Sequence, residues 1–156
     1  MSTADASTRD PRAAEEQRFI DVMGETLASW QLARATGRVY GFLLLRAEPS
    51  SSELLREALG LSAGAVSQAM RELVAWGLAR TIPQPGSRRL LIEAAGGFEQ
   101  LLAASHQRSR AFIRALEAAE PLTDDAQAAE RLRAVTGLFS AYVDAGEQML
   151  RSRTAH

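Results

Sequence analysis

Apolar residues recur at intervals of three and four along most of this chain, and one stretch past the middle switches to short strand-like runs bounded by proline and glycine. From about Ala13, the positions Phe19, Ile20, Met23, Leu27 and Trp30 fall at helical spacing and predict an amphipathic first helix. Gly37 reads as a break or bend, after which Val39, Phe42, Leu43 and Leu44 predict a strongly apolar second helix that stops before Pro49. Ser50 followed three residues later by Glu53 fits a capping box that opens a third helix. Leu54, Leu55, Ala58 and Leu59 form its apolar face, and Gly60 sits where a left-handed stop is needed. Ser62 is placed to cap a fourth helix, whose Val66, Met70, Leu73 and Val74 point one way. Its opposite face carries Ala63, Gly64, Ser67, Gln68 and Arg71.

Gly77 ends that helix, and residues 78–82 and 90–93 read as two short strands. Pro83, Pro85 and Gly86 supply the turn between them, with Ser87, Arg88 and Arg89 at or beside its tip. Gly96 and Gly97 mark a joint. Beyond it Phe98, Leu101, Leu102, Ser105, Ser109, Phe112, Ile113 and Leu116 predict one long amphipathic helix ending near Pro121. Thr123 as N-cap, with Asp124 and Asp125 in an acidic first turn, opens the last helix. Its stripe runs through Ala129, Leu132, Val135, Thr136, Phe139, Tyr142, Val143, Gly146, Met149 and Leu150. Residues 1–12 are polar and lack periodicity, and are expected to form a disordered tail.

Helix, tight turn, helix and arginine-tipped hairpin is the order of a winged helix-turn-helix. The outer face of the fourth helix is small, polar and singly cationic, which suits close approach to a major groove where Ser, Gln and Arg meet base edges or phosphates. Taken alone, it is equally the solvated face of an ordinary helix. Two adjacent arginines on a narrow ribbon, able to reach phosphates or a minor groove, shift the balance toward nucleic acid.

The run LSAGAVSQAMRELVAWGLAR followed by PGSRR resembles the MarR superfamily of bacterial transcription regulators, and the preceding GRVYGFLLL is most similar to its GbsR-type branch. The similarity is close over residues 37–95 and extends over the rest as a helical pattern. It implies a mainly α fold with a small β-hairpin wing: a winged helix-turn-helix DNA-binding region at 37–95, flanked by a dimerisation helix at 13–36 and long C-terminal dimerisation helices at 96–156. It also implies a ligand-responsive repressor, a homodimer that reads a pseudo-palindromic operator in double-stranded DNA. The residues it carries over are Ser62, Ala63, Gly64, Ser67, Gln68 and Arg71 on the recognition helix and Arg88 and Arg89 on the wing. One departure concerns the wing. Many relatives carry an acid just before the wing arginines, where it would orient one of them, and this chain has Ser87.

Composition bounds the remaining possibilities. A chain of 156 residues, 46% of them hydrophobic, suffices for one domain with a buried core. Every basic residue is arginine, and the absence of cysteine excludes disulfides, thiolate metal sites and thiol redox sensing. The net charge of −1 looks unfavourable for binding DNA until its distribution is considered. Residues 61–92 carry Arg71, Arg80, Arg88 and Arg89 against Glu72 alone, whereas residues 117–147 are strongly acidic.

Neither an apolar run long enough for a membrane span nor a signal-peptide pattern appears, so a cytoplasmic location is expected. The two histidines, His106 and His156, stand apart, with no phosphate-binding glycine loop or paired metal-ligand spacing. No enzyme, metal or cofactor is therefore expected, and His106 reads as a surface or dimer-face residue. Trp30, Tyr40, Phe112, Phe139 and Tyr142 are candidates to line a pocket for an apolar or quaternary-ammonium effector. The same positions lie on stripes that must be buried in any case, so use as plain core stays open. A winged helix serving as a protein-interaction module is the alternative function, and retention of Arg71, Arg88 and Arg89 argues against it.

Overall fold

A computed structural model describes residues 10–155 of the chain, so the expected disordered tail lies almost wholly outside the described residues, as does His156. The helix α1 spans Pro11–Ser29, beginning where Asp10 accepts a hydrogen bond from the Arg12 N–H at 3.0 Å and Pro11 supplies a preset first turn. Residues 11 and 12 are thus helical. The chain turns at Gln31, which takes φ 73°, and α2 runs over Arg34–Leu44. Gly37 accordingly sits inside α2 and does not break the path. It packs closely against the backbone of α1, where a Cβ would lie 2.4 Å from the Met23 carbonyl oxygen.

The short strand β1, Ser50–Ser51, leads into α3, Ser52–Leu59, and α4 follows at Ala63–Ala75. Strands β2, Ala79–Pro83, and β3, Leu90–Ala94, form the hairpin. All three strands join one antiparallel sheet in the order β1-β3-β2, with Ser50 opposite Ile92 and Arg80 opposite Glu93. Ser50 is therefore a buried strand residue. The cap of α3 is Ser51, whose Oγ accepts from the Leu54 N–H at 3.1 Å. On α3 the core side is Leu55 and Leu59, while Leu54 and Ala58 face outward.

Leu27, Val39, Phe42, Leu43, Leu55, Val66, Leu73, Leu78 and Ile92 form the core of this first unit. The helix α2 is its centre. Its N-terminus lacks a side-chain cap of its own, and Glu72 of α4 supplies one, accepting from the Ala33 N–H at 3.3 Å and the Thr36 hydroxyl at 3.2 Å. That carboxylate fixes α4 against the helix on which it rests.

The chain divides after Gly97 into two compact units. The second contains α5, Phe98–Ala119, a 3-10 turn at Glu120–Leu122, and α6, Ala126–Thr154. Asp125 caps α6 by accepting from the Ala128 N–H at 2.9 Å, and Thr123 instead accepts from the Asp125 N–H. The two helices pair as a hairpin. Arg110 of α5 donates to Asp144 at 2.7 Å and to Glu147 at 2.8 Å, and its guanidinium holds the Glu147 carboxyl below the usual carboxylate range. Next to this ion pair His106 is buried, not exposed, because its ring lies on Gly146, where a Cβ would stand 2.6 Å from Nε2.

Candidate nucleic-acid interface

The outer face of α4 takes its shape from its own cap and from the residues turned inward beneath it. The Ser62 hydroxyl accepts from the Ala65 N–H at 3.1 Å and so starts the helix, one residue beyond a chain reversal that Gly60 permits at φ 63°. With Val66, Ala69 and Leu73 buried, Ala63, Gly64, Ser67, Gln68 and Arg71 all lie on the exposed side. Arg71 donates through Nη1 to the Ser67 hydroxyl at 3.2 Å, which lays the guanidinium along the helix surface. Nothing lies within 4 Å of where a Gly64 Cβ would stand, so this end of the helix is open to close approach.

The hairpin turns through Gly86 at φ 73°, and Ser87 accepts from the Arg89 N–H at 3.1 Å. Arg88 and Arg89 are exposed, and Arg89 reaches within 3.8 Å of Glu53 on α3. Between α3, the start of α4 and the hairpin lies an open cleft of about 340 Å³ bordered by Ser52, Arg56, Ser67, Arg88 and Arg89. The structure thus brings the predicted helix face and the predicted hairpin arginines to one surface. It adds Arg56, an isolated cation in the sequence whose relation to the hairpin only the folded chain reveals.

The charges in this region sort by side. Glu72, the one acid among residues 61–92, is turned toward α2 as its cap. Arg80 is paired with Glu93 across the hairpin at 2.6 Å. What remains toward the cleft and the outer face of α4 is Arg56, Arg71, Arg88 and Arg89, opposed by Glu53, with Glu57 beside Arg56 on the flank of α3. A surface of this kind binds polyanions through phosphate contacts.

The five aromatic candidates divide between the units. Tyr40 is buried in the first, which pushes its phenol pKa up, and Trp30 is half-buried there. In the second unit Phe112 and Phe139 meet edge to face at 4.9 Å, whereas Tyr142 is exposed on α6. Among the described residues no group of His, Asp or Glu side chains is arranged to hold a metal ion, and no helix is long and apolar enough to cross a membrane.

A model of the MarR family matches residues 42–90. The HTH-type transcriptional regulator MmpR5 of Mycobacterium tuberculosis (strain ATCC 25618 / H37Rv) is 31% identical over 149 residues, covering 90% of this chain and 87% of that protein. The HTH-type transcriptional repressor OpcR of Bacillus subtilis (strain 168) is 26% identical over 85 residues, covering 54% of this chain and 46% of the repressor. A crystal structure of a transcriptional regulator superposes with a TM-score of 0.56 at 25% identity, covering 91% of this chain and 99% of that one.

Proposed function

The chain belongs to the MarR family of helix-turn-helix transcriptional regulators, and from that premise we propose that it is a homodimeric, ligand-responsive repressor of the GbsR-type branch, working as a DNA-binding protein and not as an enzyme. The observation that carries the DNA-reading part is the common surface of α4 and the hairpin, where Arg71, Arg88 and Arg89 are exposed while the nearby acids Glu72 and Glu93 are engaged elsewhere. In this reading α4 enters the major groove. Ala63 and Gly64 permit close approach, Gln68 and Arg71 address base edges, and Ser62 and Ser67 set the helix on the backbone. The hairpin arginines contact phosphates or the adjacent minor groove.

The homodimer is supported by the second unit, whose α6 is 29 residues long and buries Val143 alone among its side chains. A two-fold pair would present two recognition helices to half-sites one helical turn apart. The effector is an apolar or quaternary-ammonium molecule acting by redistributing dimers between DNA-competent and incompetent spacings, and its candidate contacts are two separate sets, Trp30 and Tyr40 in the first unit and Phe112, Phe139 and Tyr142 in the second. A cytoplasmic location accords with that role.

A gel shift with the DNA flanking its own coding region, at low and high salt, tests the reading. Specific retardation is expected. Absence of binding at any salt, with a stable dimer in sizing, would identify a protein-interaction module instead. Two substitutions then separate the contacts. The double change Arg88→Ala, Arg89→Ala is expected to weaken binding on all sequences and to flatten the salt dependence by about 1 unit per lost contact per subunit; an unchanged slope would remove the hairpin from the interface. Arg71→Ala is expected to relax sequence preference by roughly 1–3 kcal/mol. An equal loss on specific and random DNA would make Arg71 a phosphate contact.

A further inference from the structure

Glu53 is a carboxylate on a surface otherwise suited to a polyanion, and its position is specific. It stands in the first turn of α3, behind the Ser51 cap, with Oε1 3.8 Å from Arg89 Nη1. Among the described residues this is the one ion pair that ties the hairpin tip to a helix. The backbone of Arg89 is already fixed, since its N–H donates to Ser87 Oγ, but that bond leaves the long side chain free to rotate. The Glu53 carboxyl is held below its ordinary pKa by its own backbone N–H and then by Arg89, so it remains charged at neutral pH.

A carboxylate beside bound DNA repels the phosphates, and this cost is offset only if the group organises something that binds them. A guanidinium has five N–H donors, and pairing one edge with a carboxylate leaves others to engage a phosphate oxygen. We propose that Glu53 is a positioning residue for DNA binding, holding the Arg89 guanidinium over the cleft between α3 and the hairpin, beside Arg56 and Arg88, where a phosphate is received. This rests on the DNA-reading function proposed above. It makes α3, and not the hairpin, the source of the acid that sets the hairpin arginine.

The two possible effects of Glu53 have opposite signs, which makes the test decisive. Binding of the full-length protein to a labelled duplex from the DNA flanking its coding region is measured by fluorescence anisotropy across a salt series. Wild type is compared with Glu53→Gln, Arg89→Ala and the double variant, and thermal melts check that each is folded. Glu53→Gln is expected to weaken binding about threefold to tenfold for a dimer with two hairpins, and to make the salt dependence shallower. In the Arg89→Ala background the same change is expected to be neutral or to tighten binding, because only repulsion is left to remove.

Equal or tighter binding by Glu53→Gln in the otherwise wild-type chain overturns the proposal, leaving Glu53 as a repulsive neighbour. Equal weakening in both backgrounds overturns it too, since Glu53 would not act through Arg89. If wild type binds no duplex, the DNA-reading function itself fails, and the wild-type curve reports that outcome separately.

Discussion

Gly37→Val is expected to lower the stability of the chain by about 3 kcal/mol or more, read as a fall in the urea midpoint with little change in slope. A Cβ at this position would lie 2.4 Å from the Met23 carbonyl oxygen, 2.7 Å from the Gly24 Cα and 2.9 Å from the Met23 carbonyl carbon. All three are backbone atoms of α1, so no side-chain rotation relieves the contact. The helices must separate, and Val39, Phe42 and Leu43 on α2 would lose packing as they do. Helix propensity pulls the other way, since glycine in a helix interior costs about 1 kcal/mol relative to alanine. The steric term is the larger. Gly64→Ala provides the control, because Gly64 is also helical and its new methyl group would meet nothing within 4 Å. That variant should unfold at the wild-type midpoint or slightly above it. An equally stable Gly37→Val would mean that α1 and α2 do not touch backbone to backbone.

Gly37 also shows where sequence reasoning reaches its limit. A glycine after an amphipathic run is a sound local signal for a break, but the same residue serves where two helices cross closely, and only the partner's position distinguishes the two uses. Signals whose physics is local are legible in part: Thr123 is expected to cap the last helix, yet Asp125 takes that role two residues on. The Gly60 stop and the Ser62 cap involve atoms within four residues of each other, and both stand as expected. The cap of α3 lies one residue later than the serine run suggests, because Ser50 is claimed by its pairing with Ile92, far along the chain, which leaves Ser51 to cap the helix. Leu54 and Ala58 lie outside the core for a related reason: helical spacing gives a stripe but not its width.

The interface followed the same division. Exposure of Ala63, Gly64, Ser67, Gln68 and Arg71 follows from helix periodicity, so the face was legible. The roles of the acids were not. Glu72 looks like a charge that dilutes a basic segment until Thr36 and Ala33 are seen to bind it. Glu53 looks like half of a capping box until Arg89 is found beside it. The burial of His106 depends on Gly146 across the α5 and α6 pair, and a glycine in an otherwise larger stripe was the available clue.

The second large effect is expected at the outward face of α6. Val135, Leu138, Tyr142 and Met149 are spaced by three, four and seven residues, which places them on one side of the helix. Leu138 is 69% exposed and Tyr142 is 66% exposed, although large apolar side chains each contribute roughly 1.5–3 kcal/mol when fully buried. A second copy of the chain covering this face would recover that energy twice, once from each subunit. If the proposed homodimer is sealed by this face, Leu138→Glu should convert it to a monomer in sedimentation at low micromolar concentration, because a two-fold seam sets an unpaired carboxylate in an apolar contact from both sides. The hairpin of α5 and α6 should remain folded, since Leu138 is outside the core that Leu101, Ile113 and Val143 form. DNA affinity should fall by about 100-fold or more, because the two reading heads no longer bind as one bivalent ligand. Leu138→Ala should loosen the dimer less, having removed apolar area without adding a charge. A Leu138→Glu chain that stays dimeric and holds its operator as tightly as wild type would place the interface elsewhere.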